Sequence, residues 1–237
     1  RHTRLRTVTG VQTCALPILS AAPRPPIAGP RAWRAVELAS SSDWIFTGPA
    51  DLAFRTPEQL DLWLAPLLRE LHTAKGVALV RGLGMLADAE LRNLFLAIGR
   101  RIGRPDTTYG ELYEVTDTGG CHRRQAIPVS QTRAATTVHT DSSRRETHPR
   151  WIGLACIRPA ARGGGSRLVS AMAVHDHLAL HHPQDLARLR RDFHRDIVTP
   201  GGMRDQRALA ANRFPIFSQA ADGPTLRYMR QWIETGQ

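Results

Sequence analysis

An α+β fold, mainly β, is what this sequence predicts: a sandwich or barrel of short strands, with helices packed at its N-terminal side and one helical insertion. Three observations predict it. Two amphipathic helical segments lie between residues 56 and 103, many short strand-like pieces follow Pro105, and one further helical segment interrupts those pieces from about Val174 to Arg191.

Taken in order, residues 19–32 are rich in Pro and Ala and predict extended or disordered chain. Thr56, Pro57 and Gln59 form a helix start, with an N-cap, a proline at the first helical position and a capping-box Gln. Leu60, Trp63, Leu64, Leu67, Leu68 and Leu71 then recur at helical spacing and predict one buried face. Gly76 to Gly82, GVALVRG, predicts a short buried strand bounded by glycines. Asp88 to Gly103 predicts a second amphipathic helix. Strands are then expected at ELYEV (111–115), TTVHTDS (136–142), WIGLACIRP (151–159) and SRLVSA (166–171). After the helical insertion they resume at FHRDIV (193–198), FPIF (214–217) and LRYMRQWI (226–233). No repeat and no shift of composition marks a second domain.

Composition narrows the function classes. No apolar run approaches the roughly 20 residues needed to span a bilayer, which argues against a membrane protein. The formal charge is +11, but Lys75 is the single lysine and the arginines are dispersed in short pairs such as Arg100-Arg101 and Arg190-Arg191. That distribution describes a solvated surface; no continuous basic stripe points to nucleic acid. Cys14, Cys121 and Cys156 form no CxxC pair and no disulfide framework, and Cys156, in an apolar run, is expected in the core.

The first eighteen residues invite a secretory reading, since a basic start precedes the apolar run VTGVQTCALPIL. Back-translation of VTGVQTCALPI reproduces the indexed adapter used in short-read sequencing libraries, and the upstream Arg1-His2-Thr3-Arg4 follows from the same DNA. Residues 1–18 are therefore expected to be a non-native, adapter-derived segment, leaving 19–237 as one domain. Removing the segment's three arginines lowers the formal charge from +11 to +8. With the leader set aside, two free thiols suit a reducing cytoplasm, and a reading frame opened by adapter is expected to be cut short at its other end as well.

The chemistry concentrates in VHTDSS, Val138 to Ser143. On a strand, residues i and i+2 project to the same face, so His139 and Asp141 would share a cavity while Thr140 points away. An imidazole and a carboxylate so placed supply two legs of a 2-His-1-carboxylate triad, the arrangement that suits non-haem Fe(II). By itself H-x-D also describes an ordinary polar strand or turn. His177 and His181 have the i,i+4 spacing of a helical metal clamp, yet with His175 and His182 they also describe a solvated helix face ending at Pro183.

The wider context, HTDSS…PRWIGLACIRPAARGGGSRLVSAMAVHDHL, resembles the TauD/TfdA (taurine dioxygenase-like) family of Fe(II)/2-oxoglutarate-dependent oxygenases. The resemblance runs from about Gly76 to the end of the chain and includes NRFPIF, the Asp222-Gly223 turn and LRYMRQWIETG. It implies a double-stranded β-helix (jelly-roll, cupin-like) core. It also implies Fe(II) held by His139 and Asp141, with 2-oxoglutarate and O₂ as co-substrates. Ser166 falls where the family usually has a Thr whose hydroxyl meets a 2-oxoglutarate carboxylate. Arg230 and Tyr228 are candidates for contact with a small-molecule substrate. The family's distal His and its 2-oxoglutarate Arg lie beyond a segment like LRYMRQWIETG, so both are expected to be missing through truncation and this chain to be inactive. The alternative is a non-catalytic jelly-roll module that binds a small molecule. Neither the substrate nor the oligomeric state follows from these residues.

Overall fold

A computed structural model describes residues 29–48, 56–121, 127, 129–142, 148–196, 205–220 and 223–237. The adapter-like segment 1–18, the Pro-rich stretch up to residue 28, His122, Ser143, Ile197, Val198 and Asp222 lie outside the described residues. The chain divides into two compact units, Arg1–Pro105 with Gly153–Asp176, and Asp106–Ile152 with His177–Gln237.

The first unit contains α1 (Ala35–Ser40), β1 (Ile45–Thr47), α2 (Pro57–Thr73), β2 (Leu79–Arg81) and α3 (Asp88–Ile102). Its long helix starts as expected. Pro57 occupies the first turn, and the Thr56 hydroxyl accepts from the Gln59 N–H at 3.4 Å. Leu60, Leu64, Leu67 and Leu71 are buried, and Leu64 is fully inaccessible. Pro66 sits inside α2 on its exposed side, and the helix runs through it. Glu70 is the polar residue on the buried face. Its carboxylate accepts from the Lys75 N–H at 3.0 Å, and its carbonyl accepts from Ala74 and Gly76. The side chain thus ends the helix that carries it.

β1 and β2 pair in parallel, Phe46 opposite Val80, and tryptophan indoles stitch the surroundings. Trp63 donates to the Thr47 carbonyl, Trp44 to Leu38 and Ser41, and Trp33 to Lys75. Each ring brings a large apolar surface while its N–H finds a partner. Gly82, at the end of β2, has φ +83°, which only glycine adopts freely. Arg101 of α3 pairs with Asp61 of α2, and Lys75 with Asp43, whose carboxyl it holds below the usual carboxylate range.

Helix α4 (Ala171–His181) begins at buried Ser170, whose hydroxyl accepts from the Ala173 N–H at 3.0 Å and donates to the Arg31 carbonyl. The expected helical insertion is broken in two by His182-Pro183, with α5 at Pro183–Leu189. The second unit continues through β3 (Asp192–His194), α6 (Gln206–Ala211), β4 (Arg213–Pro215), β5 (Phe217–Ala220), β6 (Gly223–Leu226) and α7 (Arg230–Gly236). β3 pairs antiparallel with β4, and β5 with β6. Leu186, Ile216, Phe217 and Ile233 form its core, with Leu178, Phe193, Leu226 and Tyr228 packed around them.

Four expectations are corrected. The described residues are not mainly β: helices carry most of the regular structure, the strands form three separate two-stranded sheets, and no barrel is present among them. The segments 111–115, 151–159 and 166–169 form no ladder, and Ile152, Leu154, Leu168 and Val169 stay more than half exposed. Alternating apolar residues suit a strand, but a strand exists only where another backbone completes its hydrogen bonds. Residues 230–233 are helical rather than extended, because Arg230 and Glu234 pair at i,i+4 and Ile233 turns into the core. Cys156 is exposed rather than buried.

Leu64→Ala should cost about 2–5 kcal/mol, since the cavity opens where α2 is best packed. Chemical denaturation followed by circular dichroism measures this as a lower midpoint.

Candidate metal-ligand pair

His139 and Asp141 lie in the second unit, next to one another in space. His139 makes a single antiparallel bridge with Met229. The next residue, Thr140, turns its hydroxyl toward the same segment and accepts from the Tyr228 N–H at 2.9 Å, while the Thr140 N–H donates to the Tyr228 carbonyl at 2.8 Å. With Thr140 spent on the backbone at 228, the side chains on either side of it meet: His139 Nε2 is 3.1 Å from Asp141 Oδ1. Asp141 then enters a turn in which Ser142 has φ +52°, a left-handed conformation unusual for a serine.

The imidazole is oriented. His139 Nδ1 is 2.7 Å from the Thr137 carbonyl, and a carbonyl can only accept, so Nδ1 carries the hydrogen. Nε2 is the nitrogen that faces the Asp141 carboxylate. With a hydrogen on Nε2 as well, the 3.1 Å contact is an ordinary ion pair; without it, Nε2 and the carboxylate are two donors that a metal ion could share. Ligands about 2.1 Å from a metal and at right angles to each other are about 3.0 Å apart, so the pair fits adjacent positions on one ion. A backbone carbonyl on the second imidazole nitrogen is also the usual support of a ligating histidine. His139 is three-quarters shielded and the Asp141 side chain half exposed, which leaves the pair reachable. Among the described residues, no group of three or more His, Cys, Asp or Glu side chains could hold a metal ion.

The other predicted site residues lie elsewhere. Ser166 belongs to the first unit and is exposed, just after Gly163 and Gly164, both at positive φ. Tyr228 binds Thr140 through its backbone and packs its side chain on the Leu186–Ile233 core. Arg230 is on α7, exposed, with its Nε 2.6 Å from Glu234, and that carboxylate raises its pKa. The i,i+4 histidines do stack, the rings of His177 and His181 being 4.7 Å apart and those of His177 and His182 5.8 Å, without forming a metal cluster. His175 is buried beside Asp176.

Two residues matter that the motif alone did not flag. Thr140 was expected merely to point away; it ties the pair to residue 228. Arg195 is fully buried, its guanidinium on backbone carbonyls 2.8 Å from Phe214 and 2.9 Å from Arg227. Period-2 alternation in FHRDIV does put Arg195 on the face of Phe193, which was the available sign.

His177 has a lowered pKa, first through burial and then through repulsion from His181 and His182. Its folded pKa lies below the unfolded value of about 6.5, so the unfolded chain takes up the proton first as pH falls. The stability contributed by the neutral ring is complete above that value and is lost as pH drops toward the folded pKa. His177→Gln should flatten the decline in melting temperature between about pH 7.5 and about pH 5.5, read from parallel thermal melts.

Comparison with curated proteins gives no match. A family model, Taurine catabolism dioxygenase TauD, TfdA family, matches residues 38–221, which include His139, Asp141 and Ser166 and end before Tyr228 and Arg230. With that match spanning most of the sequence, the chain belongs to the TauD/TfdA family, whose members are in general Fe(II)- and 2-oxoglutarate-dependent dioxygenases.

Proposed function

We propose that this chain is a Fe(II)/2-oxoglutarate-dependent dioxygenase that hydroxylates a small molecule, with His139 and Asp141 as two of its iron ligands. The observation that carries the reading is the oriented pair: His139 Nε2 3.1 Å from a carboxylate oxygen, in a chain of this family. The family also supports a cupin-like fold for the whole domain. Bound Fe(II), together with 2-oxoglutarate and O₂, supplies oxidative decarboxylation to succinate and CO₂ coupled to oxidation of a substrate C–H bond.

The protein's part is to hold and orient. The Thr137 carbonyl keeps the His139 proton on Nδ1, so Nε2 stays free to ligate. The Ser166 hydroxyl is a donor suited to one 2-oxoglutarate carboxylate. Arg230 would meet an anionic substrate by exchanging Glu234 for it, and Tyr228 would shape the wall through its backbone more than its phenol. No helix among the described residues is long and apolar enough to cross a membrane, and the exposed thiol of Cys156 fits a reducing cytoplasm.

His139→Ala and Asp141→Ala should each weaken Co(II) or Fe(II) binding by more than about a hundred-fold, exceeding what loss of a supporting group costs, as read by calorimetric titration. Where wild type forms succinate from 2-oxoglutarate, both should also abolish it. Succinate formation that continues unchanged in His139→Ala would overturn the assignment.

A further inference from the structure

Residues 227, 228 and 229 are consecutive, and each is gripped. The Arg227 N–H donates to the Ile216 carbonyl at 2.9 Å, and the Arg227 carbonyl accepts from Arg195 Nη2 at 2.9 Å. Both backbone groups of Tyr228 engage Thr140, and Met229 bridges His139. A displacement at the Arg227 carbonyl therefore reaches Thr140 within one 3.8 Å backbone step, and Thr140 stands between the two side chains of the pair.

Arg195 is unusual cement. Its other bonds run to the Phe214 carbonyl at 2.8 Å, the Pro215 carbonyl at 3.2 Å and the Phe193 carbonyl at 3.5 Å; among the described residues its buried Nε has no partner and no bond goes to a carboxylate. Its own backbone is fixed too, with N–H to the Asn212 carbonyl and carbonyl to the Asn212 amide. A buried cation whose nearest counter-charge, Asp192, acts only through space and not by a hydrogen bond is a costly filler, and apolar packing of the same volume stabilises a core at least as well. What apolar packing does not supply is a planar fork of donors that holds several carbonyls at set directions.

We infer that Arg195 is a positioning residue for the His139–Asp141 pair, acting through the Arg227 carbonyl and the Tyr228–Thr140 hydrogen bonds. The inference rests on the pair being metal ligands, and two independent readouts separate the failure of one from the failure of the other.

The first readout is amide hydrogen exchange, which involves no metal. Arg195→Lys keeps the charge but loses the fork. It should speed exchange at the Thr140 and Tyr228 amides by about ten-fold more than at the Leu186 amide of α5. Equal changes at all three amides, or none, overturn the inference. Should Arg195→Lys fail to fold, wild type decides: the Arg195, Arg227 and Thr140 amides should open together as urea is raised. A Thr140 amide that opens about ten-fold more readily than the Arg195 amide breaks the relay.

The second readout is Co(II) titration. Arg195→Lys and Thr140→Val should each bind the ion about ten-fold more weakly, and Thr140→Ser, which keeps the hydroxyl, should bind as wild type does. Undiminished binding by both Arg195→Lys and Thr140→Val overturns the inference. Wild type that binds no Co(II) overturns the ligand reading, and exchange alone then decides whether Arg195 positions the pair.

Discussion

A guanidinium buried among carbonyls is the interaction on which the second unit depends. Arg195 is completely inaccessible, and its two Nη atoms reach β4 at Phe214 and Pro215 and the chain after β6 at Arg227. Burial, and then the charge of Arg227, lower its pKa to about 10, which still leaves it protonated near neutrality. The Phe214 ring lies beneath both guanidiniums, 4.3 Å from that of Arg227 and 5.6 Å from that of Arg195, so its π-face offsets some of their repulsion. Short strands with few ladder bonds are thereby held by one side chain. His148 feels the same positive surroundings: burial first and Arg227 second lower its pKa.

How much of this was legible follows from the range of each interaction. The Thr56-Pro57 start and the leucine spacing of α2 describe a helix that forms through contacts three or four residues away, and the structure agrees closely. The ends of β2 were marked by Gly76 and Gly82, both at positive φ. Strands over 151–169 were misread because their apolar alternation says nothing about which backbone would pair with them. LRYMRQWI was misread for the opposite reason, since Glu234, just beyond the apolar run, pairs with Arg230 and favours helix.

The pair was legible because i and i+2 meet on one face in any locally extended chain, even where a single bridge replaces a strand. Its support was not. Thr140 acts across 88 residues of sequence, and the Arg195 side chain reaches Arg227 across 32. Nothing in the neighbourhood of either residue announces those partners. Buried arginine also runs against the usual burial order, in which charge stays at the surface unless paired.

The Lys75–Asp43 pair carries a different kind of consequence. Thirty-one of the thirty-two basic side chains are arginines, so amine-directed reagents find one side-chain target in the whole sequence. That target lies in the first unit, just past the end of α2, with its ammonium held against Asp43. Acylating it would release a carboxylate while leaving every guanidinium charged. A dye or surface tether attached there would therefore mark a single place on the molecule, in the unit that does not contain His139 and Asp141.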